Sequence, residues 1–206
     1  MTAARRGWIR SYSVAFALLA LSGVLAWTTS VFIAEHFPDR PLVGDLGFEI
    51  LPFIESAQYL TDPALFFGVL GVLYYFSRGR WHEAPGMISL YAIMEIVRAL
   101  VITLTPMASP LGNGYAYGLV PMTQHGMFLS GHTASAAMFV LVVDREQEPR
   151  LWWLQMLWLV IEATTLLLSR GHYSIDIVGG LLLAYALWRA WHNGVLFNRL
   201  KPLVTP

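Results

Sequence analysis

Residues 151–193 read LWWLQMLWLVIEATTLLLSRGHYSIDIVGGLLLAYALWRAWHN. Two apolar blocks, about 151–169 and 175–193, flank a short polar stretch that runs from Arg170 through His172 to Asp176. Each block is about as long as the ~20 apolar residues a helix needs to cross a bilayer. The pattern continues toward the N-terminus, with further blocks at about 11–34, 59–77, 86–105 and 128–143. The block at 128–143 is short, which suits a helix that begins inside a recessed pocket. Residues 1–206 contain no internal repeat, low-complexity segment or long linker. The expected fold is therefore all-α: one polytopic membrane domain, a bundle of six transmembrane helices.

Composition agrees with that class. Of 206 residues, 56% are hydrophobic and 13% charged, about half the roughly 25% charge of a soluble domain. Thirteen Lys and Arg balance thirteen Asp and Glu, which argues against a nucleic-acid partner. Without cysteine there is no disulfide, thiol nucleophile or Cys-based metal centre. The first block also has a signal-peptide flavour, with Arg5, Arg6 and Arg10 before the run Val14–Trp27. The run continues through Ile33, however, so a permanent first helix is the preferred reading.

Sorted by membrane side, the neutral charge balance becomes lopsided. With the N-terminus in the cytoplasm, ten of the thirteen basic residues fall on the inner side: Arg5, Arg6, Arg10, Arg78, Arg80, Arg145, Arg150, Arg189, Arg199 and Lys201. Trp8, Trp81, Trp152, Trp153, Trp188 and Trp191 fall near the same interface, as an aromatic belt does. Both termini are expected to be cytoplasmic. Six acids, Glu35, Asp39, Asp45, Glu49, Glu55 and Asp62, fall in or beside the outer segment between the first two helices. They should disfavour free phosphate dianions near the mouth. The short segments outside the spans suit a bacterial plasma membrane.

The remaining polar groups converge. Ser130-Gly131-His132-Thr133 opens the fourth block, and His172 to Asp176 precedes the sixth. Two crossings separate His132 from His172, so both reach the outer face, and Arg98 approaches it from the third block. Ionisable groups in such places are functional candidates by default. His172 and Asp176 are four apart, and share a face if the sixth helix starts at or before His172. Asp176 then accepts the Nδ1 proton and leaves Nε2 free as nucleophile or base, with His132 as the complementary acid. Ser130, Gly131 and Thr133 sit where a helix N-terminus can face an anion. Arg98 and Arg170 add fixed positive charge. This set suits chemistry on phosphate. Other readings remain open: Arg98 pairing only with Glu95, or His132, His172 and Asp176 holding a metal. The arginines argue against the metal, because cations repel one another. Glu162 has no obvious partner.

At these residues the chain resembles the type 2 phosphatidic acid phosphatase superfamily, and within it the sphingomyelin synthase-like branch. Ser130-Gly131-His132-Thr133 is similar to that branch's third motif and His172-Tyr173-Ser174-Ile175-Asp176 to its fourth. Arg98 to Pro106, with its threonines, resembles the second, and Pro41-Leu42-Val43-Gly44-Asp45 is a loose form of the first. The likeness runs in order through about residues 35–195. It implies six transmembrane helices, an extracytoplasmic active site, and neither metal nor cofactor. On matching positions, His172 would be the nucleophile, Asp176 its orienting partner, His132 the acid and base, and Arg98 a phosphate ligand. Asp45, Glu49, Tyr173 and His125 are accessory candidates. The lysine-and-arginine first motif of the phosphatases proper is missing, since Lys201 is the only lysine. Gly126 stands where the synthases carry an acid.

The expected function is a membrane lipid phosphotransferase or phospholipase C-type enzyme. It would cleave a phospholipid head-group phosphodiester through a phosphohistidine and pass the group to a ceramide- or diacylglycerol-like alcohol or to water. A lipid phosphate phosphatase is the alternative, and a scaffold or transporter a remote one. Partners would be membrane lipids, with homo-oligomers compatible and nucleic acid excluded.

Overall fold

The computed structural model describes residues 3–111, 127–194 and 197–205. His125 and Gly126 lie outside the described residues. All regular structure among the described residues is helical. Six longer helices match the six apolar blocks: α1 (Ala3–His36), α3 (Gln58–Ser77), α4 (Ala84–Leu104), α5 (Gly131–Val142), α6 (Pro149–Leu168) and α7 (Ser174–Asn193). Two short helices were not anticipated, α2 (Leu46–Ile50) and α8 (Lys201–Val204). Their five and four residues are too few to carry a period.

Local chemistry sets several helix ends. Pro149 occupies the first turn of α6, where a missing N–H costs nothing. Ser130 caps α5, its hydroxyl accepting from Thr133 N–H at 3.2 Å. Helix α6 closes in a Schellman arrangement, with Arg170 N–H donating to Leu167 C=O and Gly171 N–H to Leu166 C=O. Arg170, not glycine, takes the left-handed position there, at φ 59°. That backbone costs a residue with a Cβ about 1–2 kcal/mol, so side-chain contacts must offset it.

α5 sits at the centre, packed against α3, α4, α6 and α7, while α1 lies along α4. In lipid, helices gain little from apolar burial against each other, and small residues that let backbones approach matter more. The α5–α7 crossing shows this. A Cβ on Gly180 would lie 2.7 Å from the Ser130 carbonyl oxygen, so only glycine fits. α3 and α4 behave differently. They are consecutive, yet among the described residues they scarcely touch.

Four helices, α1, α3, α4 and α6, are long and apolar enough to cross a membrane. α5, at twelve residues, extends only about 18 Å. The segments carrying the basic residues meet at one end of the bundle. Arg10 donates to Pro202 C=O, Tyr12 to Trp81 C=O, and Arg78 pairs with Glu148 at 3.5 Å. Arg145 lies over the Trp152 ring and Lys201 over Trp191.

Candidate active site

At the other end, the loop between α6 and α7 is tied down from several directions. His172 is buried, and its Nδ1 lies 3.1 Å from Asp176 Oδ2. The same oxygen accepts the Tyr173 N–H at 3.0 Å. This differs from the shared helical face expected from the spacing. α7 begins at Ser174, and Tyr173, with extended backbone, is its N-cap. Asp176, in the first turn, therefore reaches back out of the helix as a capping carboxylate and collects the histidine on the way. The i, i+4 contact stands, by a different route.

Tyr173 is buried too. Its hydroxyl donates to Ala108 C=O at 3.2 Å and accepts from Val43 N–H at 3.3 Å. Asp45 caps α2 through Gly47 N–H and accepts both the backbone N–H and the hydroxyl of Ser174, the first residue of α7. Burial pushes the Asp45 carboxyl up, but the hydrogen bonds from Ser174, Gly47 and Phe48 outweigh it and hold the group below the usual carboxylate range. Glu49 is exposed on α2. The loose first motif is thus a strap across the start of α7.

Arg170 belongs to the same strap. Its Nη2 donates to Phe48 C=O at 2.6 Å and to Leu51 C=O at 3.3 Å, and its guanidinium lies 4.2 Å from the Phe48 ring centre. These contacts answer the cost of its backbone. They also engage the guanidinium with the 46–51 segment rather than with either histidine.

Across the gap, Ser130 N–H donates to Asp176 C=O at 3.0 Å, which joins the start of α5 to the start of α7. The His132 ring centre is 6.2 Å from that of His172. Arg98 reaches over from α4, its Nε donating to Leu129 C=O at 3.0 Å and its Nη1 lying 3.4 Å from Glu95. Pairing with Glu95 is therefore real but does not hold the arginine away from the histidines. A Cβ on Gly131 would sit 2.7 Å from the Arg98 guanidinium carbon, so the glycine lets the cation lie against the first turn of α5. Thr133 is fully buried and its hydroxyl has no hydrogen-bond partner.

Burial lowers the tendency of His172 to protonate, the Asp176 hydrogen bond and charge oppose this, and the charges of His132 and Arg98 add to the lowering. The balance falls below the ordinary imidazole range. A neutral ring with Nδ1–H held by Asp176 presents an Nε2 lone pair, which is what a nitrogen nucleophile requires.

The site opens into the gap between α3 and α4. A cavity of about 210 Å³ is lined by Leu65, Tyr91, Glu95, Arg98, Gly131, His132 and Ser135. A second, of about 160 Å³, lies further along the same helices, bordered by Val72, Phe76, Met87, Ile88, Tyr91 and Phe139. Tyr91 lines both, its hydroxyl 3.1 Å from Ser135 Oγ. The two therefore adjoin at Tyr91, the first polar beside the histidine and the second apolar, bordered also by Leu19 of α1; together they are termed the groove. Among the described residues, no group of three or more acids or histidines is arranged to hold a metal ion.

Asp62 is one of the outer acids by sequence and not among the candidate site residues, yet it lies in the second turn of α3, its Oδ1 3.8 Å from His132 Nε2. Its spacing from Leu65, three residues on, was the available signal.

Comparison with known proteins supports the resemblance read from the motifs. Residues 126–193 match the family model described as PAP2 superfamily C-terminal. That stretch holds the start of α5, the loop with His172, and α7. The chain is also 26% identical over 215 aligned positions to the phosphatidylcholine:ceramide cholinephosphotransferase 1 of Caenorhabditis elegans, across 87% of this chain. It spans only 46% of that relative's length.

Proposed function

We propose that the protein is a membrane lipid phosphotransferase that moves a phosphodiester head group from a phospholipid to a lipid alcohol or to water. The observation that carries this reading is the arrangement of His172 and Asp176 opposite the His132 ring, 6.2 Å away. Arg98 borders the same gap, and the groove leads from it into an apolar channel.

The reaction runs in two displacements. Nε2 of His172 attacks phosphorus, the bond to the diacylglycerol-type oxygen breaks, and His132 gives that oxygen a proton. The phosphohistidine keeps its Nδ1–H on Asp176. In the second step the acceptor hydroxyl passes its proton to His132, its oxygen attacks phosphorus, and the P–N bond breaks. Both histidines return to their starting states. Arg98 and the first N–H groups of α5 receive the non-bridging oxygens. Arg170 holds the loop through the α2 segment. Neither step calls on a metal.

Charge favours a diester. A phosphomonoester carries about two negative charges near neutral pH, whereas a diester carries one. The cavity offers Arg98 with Glu95 beside it, which suits the lesser charge. The relative's printed substrates, phosphatidylcholine and ceramide, are the natural first pair to test. In the membrane we infer six crossings, with α5 and α7 completing the set and both termini cytoplasmic. The meeting of the basic segments at one end supports this, and in this orientation the histidines would face the extracytoplasmic side.

The test is reconstitution into liposomes holding head-group-labelled phosphatidylcholine, phosphatidic acid and ceramide or diacylglycerol. The expected result is label moving to the acceptor lipid or to water, with activity lost in His172→Ala. Phosphate release from phosphatidic acid with the diester inert would replace this reading by a phosphatase. Activity that survives His172→Ala would remove the phosphohistidine.

A further inference from the structure

Asp62 lies at the mouth of the groove, on the α3 face that also presents Leu65 and Val72 to the cavities. Its Oδ1 is 3.8 Å from His132 Nε2, and its side chain is 51% exposed where that of His132 is 25%. The turn that carries it is fastened from behind. Thr61 is fully buried, and its hydroxyl donates to Thr165 on α6 at 3.4 Å. One turn earlier on α6, Glu162 is fully buried and near enough to feel the charge of Asp62.

We propose that Asp62 is the positioning residue of His132, so that the site contains two histidine–carboxylate dyads with opposite duties. The idea rests on the phosphoryl-transfer reading above. Asp176 holds a buried, neutral ring that attacks. Asp62 holds a ring about a quarter exposed that carries a proton, and offsets the positive charge on that ring while it does so. The two carboxylates come from different helices, α7 and α3, each packed against α5. One dyad is closed off from the groove and the other borders it. That is the order the chemistry needs, because the leaving oxygen and the acceptor hydroxyl both arrive by the groove.

The experiment uses the full chain in liposomes with two donors. Phosphatidylcholine loses an alkoxide that needs a proton, whereas p-nitrophenyl phosphocholine loses a stable phenolate that does not. Asp62→Asn should slow transfer from phosphatidylcholine about 100-fold, while the first-turnover burst of p-nitrophenolate, which precedes any proton transfer from the acceptor, stays within about threefold. Asp62→Glu should restore most of the lipid activity. Equal loss with both donors would mean a structural role and overturn the proposal, as would unaltered lipid transfer. His172→Ala separates the two levels of argument. If it stays active, phosphohistidine chemistry fails and takes this proposal with it. If it is dead and Asp62→Asn is normal, only the role of Asp62 fails.

Discussion

The two histidines face each other across one gap, yet their surroundings have little in common. His172 is buried in a loop whose neighbours are bonded on all sides: Tyr173 to Ala108 and Val43, Ser174 to Asp45, Arg170 to Phe48 and Leu51. His132 stands on the open edge of a helix and lines a cavity of about 210 Å³. A nucleophile gains from being fixed before the substrate arrives, since each freedom removed in advance is one the reaction need not remove. A proton carrier must meet two different oxygens in turn, and so needs room. The contrast is between preorganisation and access, and the fold separates them by helix.

The largest test of that contrast is to remove each ring. His172→Ala should lower turnover by about 10³-fold or more with every donor, because in the proposed mechanism no other group forms the covalent intermediate. His132→Ala should lose a similar factor with phosphatidylcholine but much less in the first-turnover burst from p-nitrophenyl phosphocholine, because with that donor only the second displacement still calls on it. Equal losses from both variants with both donors would erase the distinction.

The next test concerns how the two sides are joined. Gly180→Ala drives a methyl into the Ser130 carbonyl and should destabilise the bundle by about 1–3 kcal/mol, seen as a lower melting temperature in detergent. Gly131→Ala meets only the end of a flexible arginine. It should leave melting nearly unchanged and raise KM by displacing Arg98.

A smaller effect is expected at Glu162. Both of its carboxyl oxygens are buried without a partner, and an unsatisfied buried group costs about 1–3 kcal/mol. Glu162→Leu should therefore raise the melting temperature. A fall would show that the carboxyl has a partner in the membrane.

Last comes pH. Burial, partly opposed by Asp176, keeps His172 below the ordinary imidazole range, and only its neutral form attacks. The acidic limb of phosphoenzyme formation should therefore fall below about 6.5, the ordinary imidazole value. Asp176→Asn removes the group that favours the charged ring, and should move the limb lower still while reducing the rate. A limb above 6.5 in the unaltered protein would contradict the neutral nucleophile.

Much of this was legible before any coordinates. The apolar blocks coincide with the six longer helices because bilayer-length runs leave the backbone few other solutions. α1 begins at residue 3 rather than 11, since Arg5, Arg6 and Arg10 favour a helix and only hydropathy marked the boundary. The His172–Asp176 contact was visible in the spacing, although its capping geometry was not, because that depends on where α7 starts. Arg170 was read by its charge and neighbours as a phosphate ligand. Its left-handed backbone and its bonds to α2 are set by a segment 120 residues away, which no local pattern contains. Asp62 escaped notice for the same reason. Its meaning comes from α3 packing beside α5.

The glycine at 180 has one more consequence. The start of α5 meets α7 through main-chain atoms, with Ser130 N–H on Asp176 C=O and no side chain between them. The spacing of the reacting groups is thus gauged by a main-chain hydrogen bond and backbone close contact inside the bundle, which lateral pressure and acyl-chain length should alter little. The groove wall is a different matter, because α3 and α4 scarcely touch and their separation is free to follow the surrounding bilayer. In thin and thick membranes alike, the intrinsic rate of phosphoryl transfer should hold constant while the ease of lipid entry varies. Such a protein would be tuned by its host membrane through substrate capture alone.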